Sequence, residues 1–434
     1  MTQEKIKIHT ISLGCPKNRV DTEVMLGRIA FSFEPVDRPE DADVVVINTC
    51  GFIEPAVQES VQTIMETATA ISELSPKPFL VVTGCLVMRY QKELREEIPE
   101  VDLFLPIAEQ DHLPDILSRV LHRSLKEETG RAVSTPPGYA YLKISEGCDN
   151  SCRFCTIPSL RGPLHSQSVE AVLDQARGLL DTGVKELVVI AQDVTAYGRD
   201  LGMQHGLEDL LERLLPLSGL AWLRLMYLYP AGLTDERLKF LASCGRPLLP
   251  YLDIPFQHAH PDILKTMGRP FVHDAREVVS RIRTHLPEAA IRTTMIVGYP
   301  GETEEHFAYL KQAVRDIRFT HMGVFTYFPE EGTPAAAMDG QVDLKVKEAR
   351  KDELMEIQAE ISREQLERYQ EETLEILVDE PNDEWEGLFQ GRTWFQAPEV
   401  DGVTYVSGEH VQPGTFVTAR IDETKTYDLV ALED

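Results

Sequence analysis

The chain has 434 residues, enough for two or three domains with sizeable cores, and its 43% apolar and 26% charged residues are ordinary for a globular protein. No apolar run approaches the roughly 20 residues that a membrane-spanning helix needs. The formal net charge of −28 argues against a general nucleic-acid binder, because phosphate contacts need Lys and Arg; it suits a basic partner, or serves solubility alone. Seven cysteines, an odd number with a tight cluster among them, point to metal ligands in a reducing compartment rather than to a disulfide framework. The opening residues, Met1-Thr-Gln-Glu-Lys-Ile6, lack the cationic-then-apolar profile of a signal peptide, so a cytoplasmic location is expected.

Residues 1–122 alternate strand and helix. Strands are expected at Lys5–Leu13, Ala42–Asn48, Phe79–Thr83 and Val101–Ile107. Helices are expected from about Asp21, at Glu54–Leu74, at Val87–Glu97 and at Asp111–Leu121. Continuous apolar strands alternating with helices imply a parallel α/β sheet covered on both faces. A charged and then Pro/Gly-rich stretch follows, with Lys126-Glu-Glu-Thr-Gly130 and Ser134-Thr-Pro-Pro-Gly138, and reads as a linker.

A second alternation fills residues 138–366. Its strands are Tyr141–Ser145, Glu186–Ala191, Trp222–Leu228, Tyr251–Pro255, Ile291–Val297 and His321–Phe328. Helices are expected at Val169–Thr182, Leu207–Leu215, Asp235–Ser243, His273–Leu286 and Glu304–Ile317. Six such repeats suggest a partial (β/α)6 version of the TIM barrel, with chemistry at the C-terminal mouth of the strands. A charged helix, residues 342–370, comes next, with Leu354, Ile357 and Ile361 at helical spacing. Residues 367–434 offer five short strands, Thr373–Val378, Gly387–Thr393, Gly402–Val406, Phe416–Ile421 and Tyr427–Ala431, and read as a small β-barrel.

Two cysteine triads stand out. Cys148, Cys152 and Cys155 form a C-x3-C-x2-C array just past the first strand of the central domain. Thiolates are the usual ligands of iron–sulfur clusters, and three of them leave one iron of a cubane open to a small molecule. Cys15, Cys50 and Cys85 each fall just past the end of an N-terminal strand, in Ser12-Leu-Gly-Cys15, Ile47-Asn-Thr-Cys50 and Val82-Thr-Gly-Cys85. Strand C-termini of a parallel sheet share one edge, so these three thiols should converge as a second metal site.

The first array, with Phe154 before its last cysteine, resembles the signature of the radical S-adenosylmethionine enzymes. The second triad, together with the C-terminal barrel, makes the whole chain resemble the methylthiotransferases within them, whose barrel is TRAM-like. The resemblance implies two 4Fe–4S clusters, one held by Cys148, Cys152 and Cys155 and an auxiliary one held by Cys15, Cys50 and Cys85. It also implies two uses of S-adenosylmethionine, as methyl donor and as source of a 5′-deoxyadenosyl radical. The strings Leu13-Gly-Cys15-Pro-Lys-Asn18, Val20-Asp-Thr-Glu23 and Asn48-Thr-Cys50-Gly-Phe-Ile53 resemble the branch that modifies an aspartate β-carbon of small-subunit ribosomal protein twelve, as does Gly391-Arg-Thr-Trp-Phe-Gln-Ala-Pro-Glu399. The tRNA-adenosine branch, which shows Gln-Met where Pro16-Lys17 stand, is the alternative; a zinc-bound, non-enzymatic ribosomal scaffold is another. Charge speaks independently: residues 367–434 carry four Lys/Arg against seventeen Asp/Glu, which would repel RNA and attract a basic ribosomal protein. Direct RNA binding is therefore not expected. A flavodoxin- or ferredoxin-type electron donor and a monomeric state are expected.

Strand-end polar residues Gln192, Asp193 and Gln257, with Arg224 and Arg292 inside strands, are the candidates for gripping S-adenosylmethionine. No side chain is singled out as a catalytic residue. Gly298 and Gly301 suit a tight turn, since no Lys-Ser/Thr follows as a phosphate loop requires. Cys244 reads as structural, and His258 and His260 show no third ligand at metal spacing.

Overall fold

The computed structural model describes residues 5–123, 125, 130–269 and 274–433. Lys126–Thr129 of the expected linker and His273, the expected first residue of one helix, lie outside these residues. The chain divides into two compact units. One comprises Met1–Ser134 with Thr156–Gly162; the other comprises Thr135–Cys155 with Pro163–Asp434.

The first unit contains β1 (Ile6–Ser12), α1 (Pro16–Gly27), β2 (Phe33–Pro35), β3 (Val44–Thr49), α2 (Glu54–Ile71), β4 (Phe79–Gly84), α3 (Cys85–Glu97), β5 (Leu103–Leu105), α4 (Leu113–Val120) and the short α5 (Ile157–Arg161). Its strands pair in parallel in the order β2-β1-β3-β4-β5. Alternate residues of each strand serve opposite faces. Val45, Ile47, Leu80 and Val82 pack with Ile64, Ile71, Leu86 and Leu94 of α2 and α3. Val44, Val46 and Val81 pack with Met25, Leu26, Leu113 and Leu117 of α1 and α4. The sheet is thus doubly wound, and its strand order reverses between β1 and β3, which is where such sheets bind ligands.

The second unit contains β6 (Tyr139–Lys143), β7 (Ser145–Glu146), β8 (His165–Ser166), α6 (Val169–Asp181), β9 (Glu186–Ile190), α7 (Gly206–Leu214), β10 (Trp222–Leu225), α8 (Asp235–Cys244), β11 (Leu248–Asp253), α9 (Pro261–Thr266), α10 (Ala275–His285), β12 (Ala290–Val297), α11 (Glu304–Ile317), β13 (His321–Thr326) and α12 (Leu344–Glu367). Six of these strands form one parallel sheet in the order β13-β12-β11-β10-β9-β6, the open (β/α)6 arrangement that the sequence implies. Strands β14 (Thr373–Pro381), β15 (Leu388–Arg392), β16 (Thr404–Ser407), β17 (Phe416–Thr424) and β18 (Leu429–Glu433) close a five-stranded barrel.

The barrel and residues 394–401 are joined to the six-stranded sheet by buried ion pairs and hydrogen bonds. Glu186, first in β9, accepts from Arg224 Nε at 2.7 Å and from Arg392 Nη1 at 2.6 Å, and Arg392 also grips Asp379 at 2.7 and 2.9 Å. Asp401 accepts from Tyr251 Oη at 2.7 Å and from Arg292 Nε at 3.2 Å, and Tyr139 Oη donates to Glu399 at 2.9 Å. The segment Gly391–Glu399, which the sequence offers as a sign of substrate branch, is therefore part of an internal joint: Phe395, Gln396 and Ala397 are all buried.

Several elements depart from expectation. Helix α1 starts at Pro16 rather than near Asp21, because its inward residues include Lys17, Asn18, Asp21 and Glu23, which erase the apolar period. Strand β10 ends at Leu225 rather than Leu228. The short elements β2, β7, β8, α5 and α9 carry too few apolar residues to register.

Candidate functional site

In the first unit the three cysteines occupy equivalent positions at the C-terminal edge of the sheet. Cys15 caps the N-terminus of α1, Cys50 follows β3 and Cys85 opens α3. Two glycines make the approach possible. Gly14 has φ +89°, and a Cβ there would lie 2.7 Å from the Cys50 Cβ. Gly84 has φ +101°, and a Cβ there would lie 2.3 Å from both Asn48 Oδ1 and the Thr49 carbonyl. Buried amides brace the loops: Asn18 Nδ2 donates to the Leu13 and Thr49 carbonyls at 2.9 and 3.0 Å, and Asn48 Nδ2 donates to the Asn18 carbonyl at 2.8 Å. Ser60 Oγ accepts from the Cys50 N–H at 3.1 Å and donates to its carbonyl at 2.9 Å.

Burial pushes the Cys50 thiol up to about 12, and charge on Cys15 and Cys85 adds to the rise, so the three sulfurs sense one another. Burial also raises Cys85, against the opposing pull of Arg161. Arg161, at the end of α5, donates from Nε to Cys85 Sγ at 3.3 Å and pairs through Nη1 with Asp21 Oδ2 at 2.6 Å. Sequence reading missed Arg161, since its partners Cys85 and Asp21 lie far along the chain.

In the second unit the loop Gly147–Cys155 leaves β7 at the C-terminal end of the strands. Asn150 holds it: its N–H meets Cys148 Sγ at 3.4 Å and its Nδ2 donates to Asp193 Oδ2 at 2.8 Å. Asp193 is itself fixed by the Thr195 N–H at 3.0 Å. Gln192 Nε2 donates to Glu146, which also pairs with Lys143 at 2.7 Å. Arg269 donates to Cys152 Sγ at 3.4 Å and to the Pro255 carbonyl at 2.7 Å. Gly268, at φ +75°, lets the chain after α9 pass under the loop; a Cβ would meet the Ser151 carbonyl at 2.5 Å. Burial raises the Cys148 thiol, opposed by the Asn150 N–H.

The five polar candidates separate into two groups. Gln192, Asp193 and Gln257 stand at the C-terminal mouth. Gln257 has φ +72°, and the Oε1 atoms of both glutamines, like Ser145 Oγ, are buried with no hydrogen-bond partner among the described residues. Arg224 and Arg292 lie instead within β10 and β12, with side chains committed to Glu186 in the case of Arg224 and to Asp253 and Asp401 in the case of Arg292. A residue inside a strand can send a long side chain to either end, and sequence position alone does not say which.

The donor sets fit iron–sulfur clusters. A single zinc ion holds thiolates at about 2.3 Å, which brings their sulfurs to within about 4 Å of one another. Among the described residues the only three metal-type ligands with all atoms within 4.8 Å are His260, Asp262 and His306, so neither cysteine triad is that tight. This group contains His260 but not His258, the pair that the sequence left without a third ligand. Its imidazoles are already helix caps: His260 Nδ1 accepts from the Asp262 N–H at 3.2 Å and His306 Nδ1 from the Thr303 N–H at 3.1 Å. The orphaned acceptors at Gln192 and Gln257 suit a ligand with donors to offer, as the ammonium of S-adenosylmethionine has.

Residues 7–106 match the Uncharacterized protein family UPF0004, residues 142–314 the Radical SAM superfamily and residues 372–432 the TRAM domain. The ribosomal protein uS12 methylthiotransferase RimO of Nitratidesulfovibrio vulgaris (strain DP4) is 58% identical over 428 residues, 98% of this chain and 100% of that protein. The protein of the same name from Lawsonia intracellularis is 52% identical over 99% of this chain and 98% of its own length. That from Aquifex aeolicus is 42% identical over 98% and 96%. The solved structure of the radical S-adenosylmethionine methyltransferase TsrM from Kitasatospora setae, with cobalamin and a 4Fe-4S cluster bound, covers 76% of this chain and 77% of its own with a TM-score of 0.51 and 15% identity, a likeness of fold. With relatives matched from end to end and both cysteine triads at the mouths of their sheets, the chain belongs to the radical S-adenosylmethionine methylthiotransferase family of the RimO type.

Proposed function

We propose that this protein inserts a methylthio group at the β-carbon of an aspartate in small-subunit ribosomal protein uS12. The observation that carries the reading is the second triad: Cys15, Cys50 and Cys85 gather at the switch point of the first sheet, in a chain that also holds Cys148, Cys152 and Cys155 at a barrel mouth. Cys148, Cys152 and Cys155 would bind the cluster that engages S-adenosylmethionine, and Cys15, Cys50 and Cys85 the auxiliary cluster. S-adenosylmethionine on a reduced 4Fe–4S cluster supplies a radical able to take hydrogen from an unactivated carbon.

The chain's own residues prepare that chemistry. Gln192 and Gln257 present acceptors to the amino-acid end of the ligand, while Asp193 acts through Asn150 to hold the cysteine loop. Arg269 places a cation beside Cys152 and ties it to the Pro255 carbonyl. The raised thiols of Cys50, Cys85 and Cys148 would have to give up protons to hold the clusters as thiolates.

The substrate reading draws on charge and on the relatives' names. Part of the acid of the C-terminal barrel faces outward: Trp385 is exposed at the tip of the β14–β15 hairpin between Glu384 and Glu386, with Asp383 beside them. Acid flanking an exposed aromatic ring suits Lys- and Arg-rich protein segments and repels phosphates. In this reading the protein works in the cytoplasm as a monomer and takes electrons from a flavodoxin- or ferredoxin-type donor. A deletion strain tests the substrate: uS12 should lose the mass of a methylthio group while tRNA nucleosides stay unchanged. Loss of methylthio-adenosine with intact uS12 modification would overturn the proposal.

A further inference from the structure

We infer that Arg161 is a positioning residue for the auxiliary cluster, a built-in cation that sets its reduction potential through Cys85. The inference rests on the reading that Cys15, Cys50 and Cys85 hold that cluster.

The geometry is specific. Arg161 lies six positions after Cys155 in the sequence, yet α5 belongs to the first compact unit. Thr156, just before α5, donates from Oγ1 to the Phe52 carbonyl at 3.2 Å, which anchors the helix start in that unit. The guanidinium is almost fully buried, 2% exposed, and its three nitrogens have separate partners. Nε donates to Cys85 Sγ at 3.3 Å, Nη1 to Asp21 Oδ2 at 2.6 Å and Nη2 to Asn18 Oδ1 at 2.5 Å. Asn18 in turn braces the loops ending in Cys15 and Cys50, through the carbonyls of Leu13 and Thr49. Asp21 is 5% exposed, so cation and counter-charge both work in a low dielectric, where their effect on a neighbour is weakly screened.

A cubane held by three thiolates is net negative, and one-electron reduction makes it more so. A buried cation and an N–H donated to a cysteine sulfur both favour the reduced form, and hydrogen bonds to sulfur and net charge are levers on cluster potential. Asp21 partly offsets the cation. The two residues therefore pull the potential in opposite directions, which a purely structural pair would not do.

The test uses full-length protein with Cys148, Cys152 and Cys155 replaced by Ala, reconstituted anaerobically so that only the first triad can carry a cluster. The cluster is titrated with dithionite, one electron per cubane, and followed by electron paramagnetic resonance. Arg161→Met should lower the midpoint by at least a tenfold change in the reduction equilibrium, about 59 mV. Arg161→Lys should recover part of that shift, and Asp21→Asn should move the midpoint upward. Iron and sulfide content per chain is read alongside. Midpoints that stay together at normal cluster content, or that shift the same way in Arg161→Met and Asp21→Asn, would overturn the inference. Absence of any cluster in the parent triple variant would instead sink the reading of the first triad as a cluster site. If Arg161→Met fails to fold, Arg161→Lys and Asp21→Asn still give opposite expected signs.

Discussion

At the scale of single residues, the auxiliary site depends on glycines as much as on cysteines. A side chain at Gly84 would strike Asn48 Oδ1 and the Thr49 carbonyl at 2.3 Å, at a φ of +101°. Asn48 cannot simply step aside, since its Nδ2 holds the Asn18 carbonyl and Thr22 Oγ1. Gly84→Ala should therefore destabilise the apoprotein by about 2 kcal/mol or more and displace Cys85. A urea titration and the iron content after reconstitution read both effects; unchanged values would mean that the loop relaxes freely. The placement of Cys15, Cys50 and Cys85 just past strand ends was legible in the sequence. Arg161 and Arg269 were not, because each meets its sulfur across a gap in sequence of many dozens of residues, with no local pattern to mark it. Arg224 and Arg292 illustrate the converse: their types and strands suggested ligand contacts, but their side chains run to Glu186 and Asp401.

At the scale of elements, the joint between the six-stranded sheet and the C-terminal barrel turns on one carboxylate. Burial alone would raise Glu186, but Arg224 and Arg392 outweigh it and hold the carboxyl below its ordinary 4.5. A carboxyl depressed in the folded state stabilises above its unfolded value and loses that contribution as pH falls through the depressed value. Acid unfolding should therefore steepen below about pH 4.5, and Glu186→Gln should flatten that limb, as circular dichroism against pH would show. Glu186→Ala should cost about 3–5 kcal/mol at neutral pH, because two buried guanidinium groups lose their shared partner. A loss below about 1 kcal/mol in chemical denaturation would mean that water screens the pair. The two parallel sheets were legible because strands such as β3, β4 and β9 are apolar runs rich in β-branched residues and alternate with helical patterns. The joint was not: a buried Glu and two buried Arg look like surface charge until the partner element is in place.

At the scale of the whole molecule, the net charge of −28 would make recognition of a basic substrate, as proposed above, a long-range event. Association with isolated uS12 should slow several-fold between low and physiological salt, and replacing Asp383, Glu384 and Glu386 by their amides should slow it further at low salt. Stopped-flow association rates check this; salt-independent rates would remove electrostatic steering from the account.

Anaerobic reconstitution, followed by incubation with S-adenosylmethionine, a reductant and uS12, tests most directly whether the two triads divide the work. The wild-type protein should form 5′-deoxyadenosine and add the mass of a methylthio group to uS12. Replacing any of Cys148, Cys152 or Cys155 should abolish both. Replacing Cys15, Cys50 or Cys85 should leave some 5′-deoxyadenosine and stop the mass gain. Full methylthiolation of uS12 by a variant lacking the N-terminal cysteines would contradict the two-site mechanism.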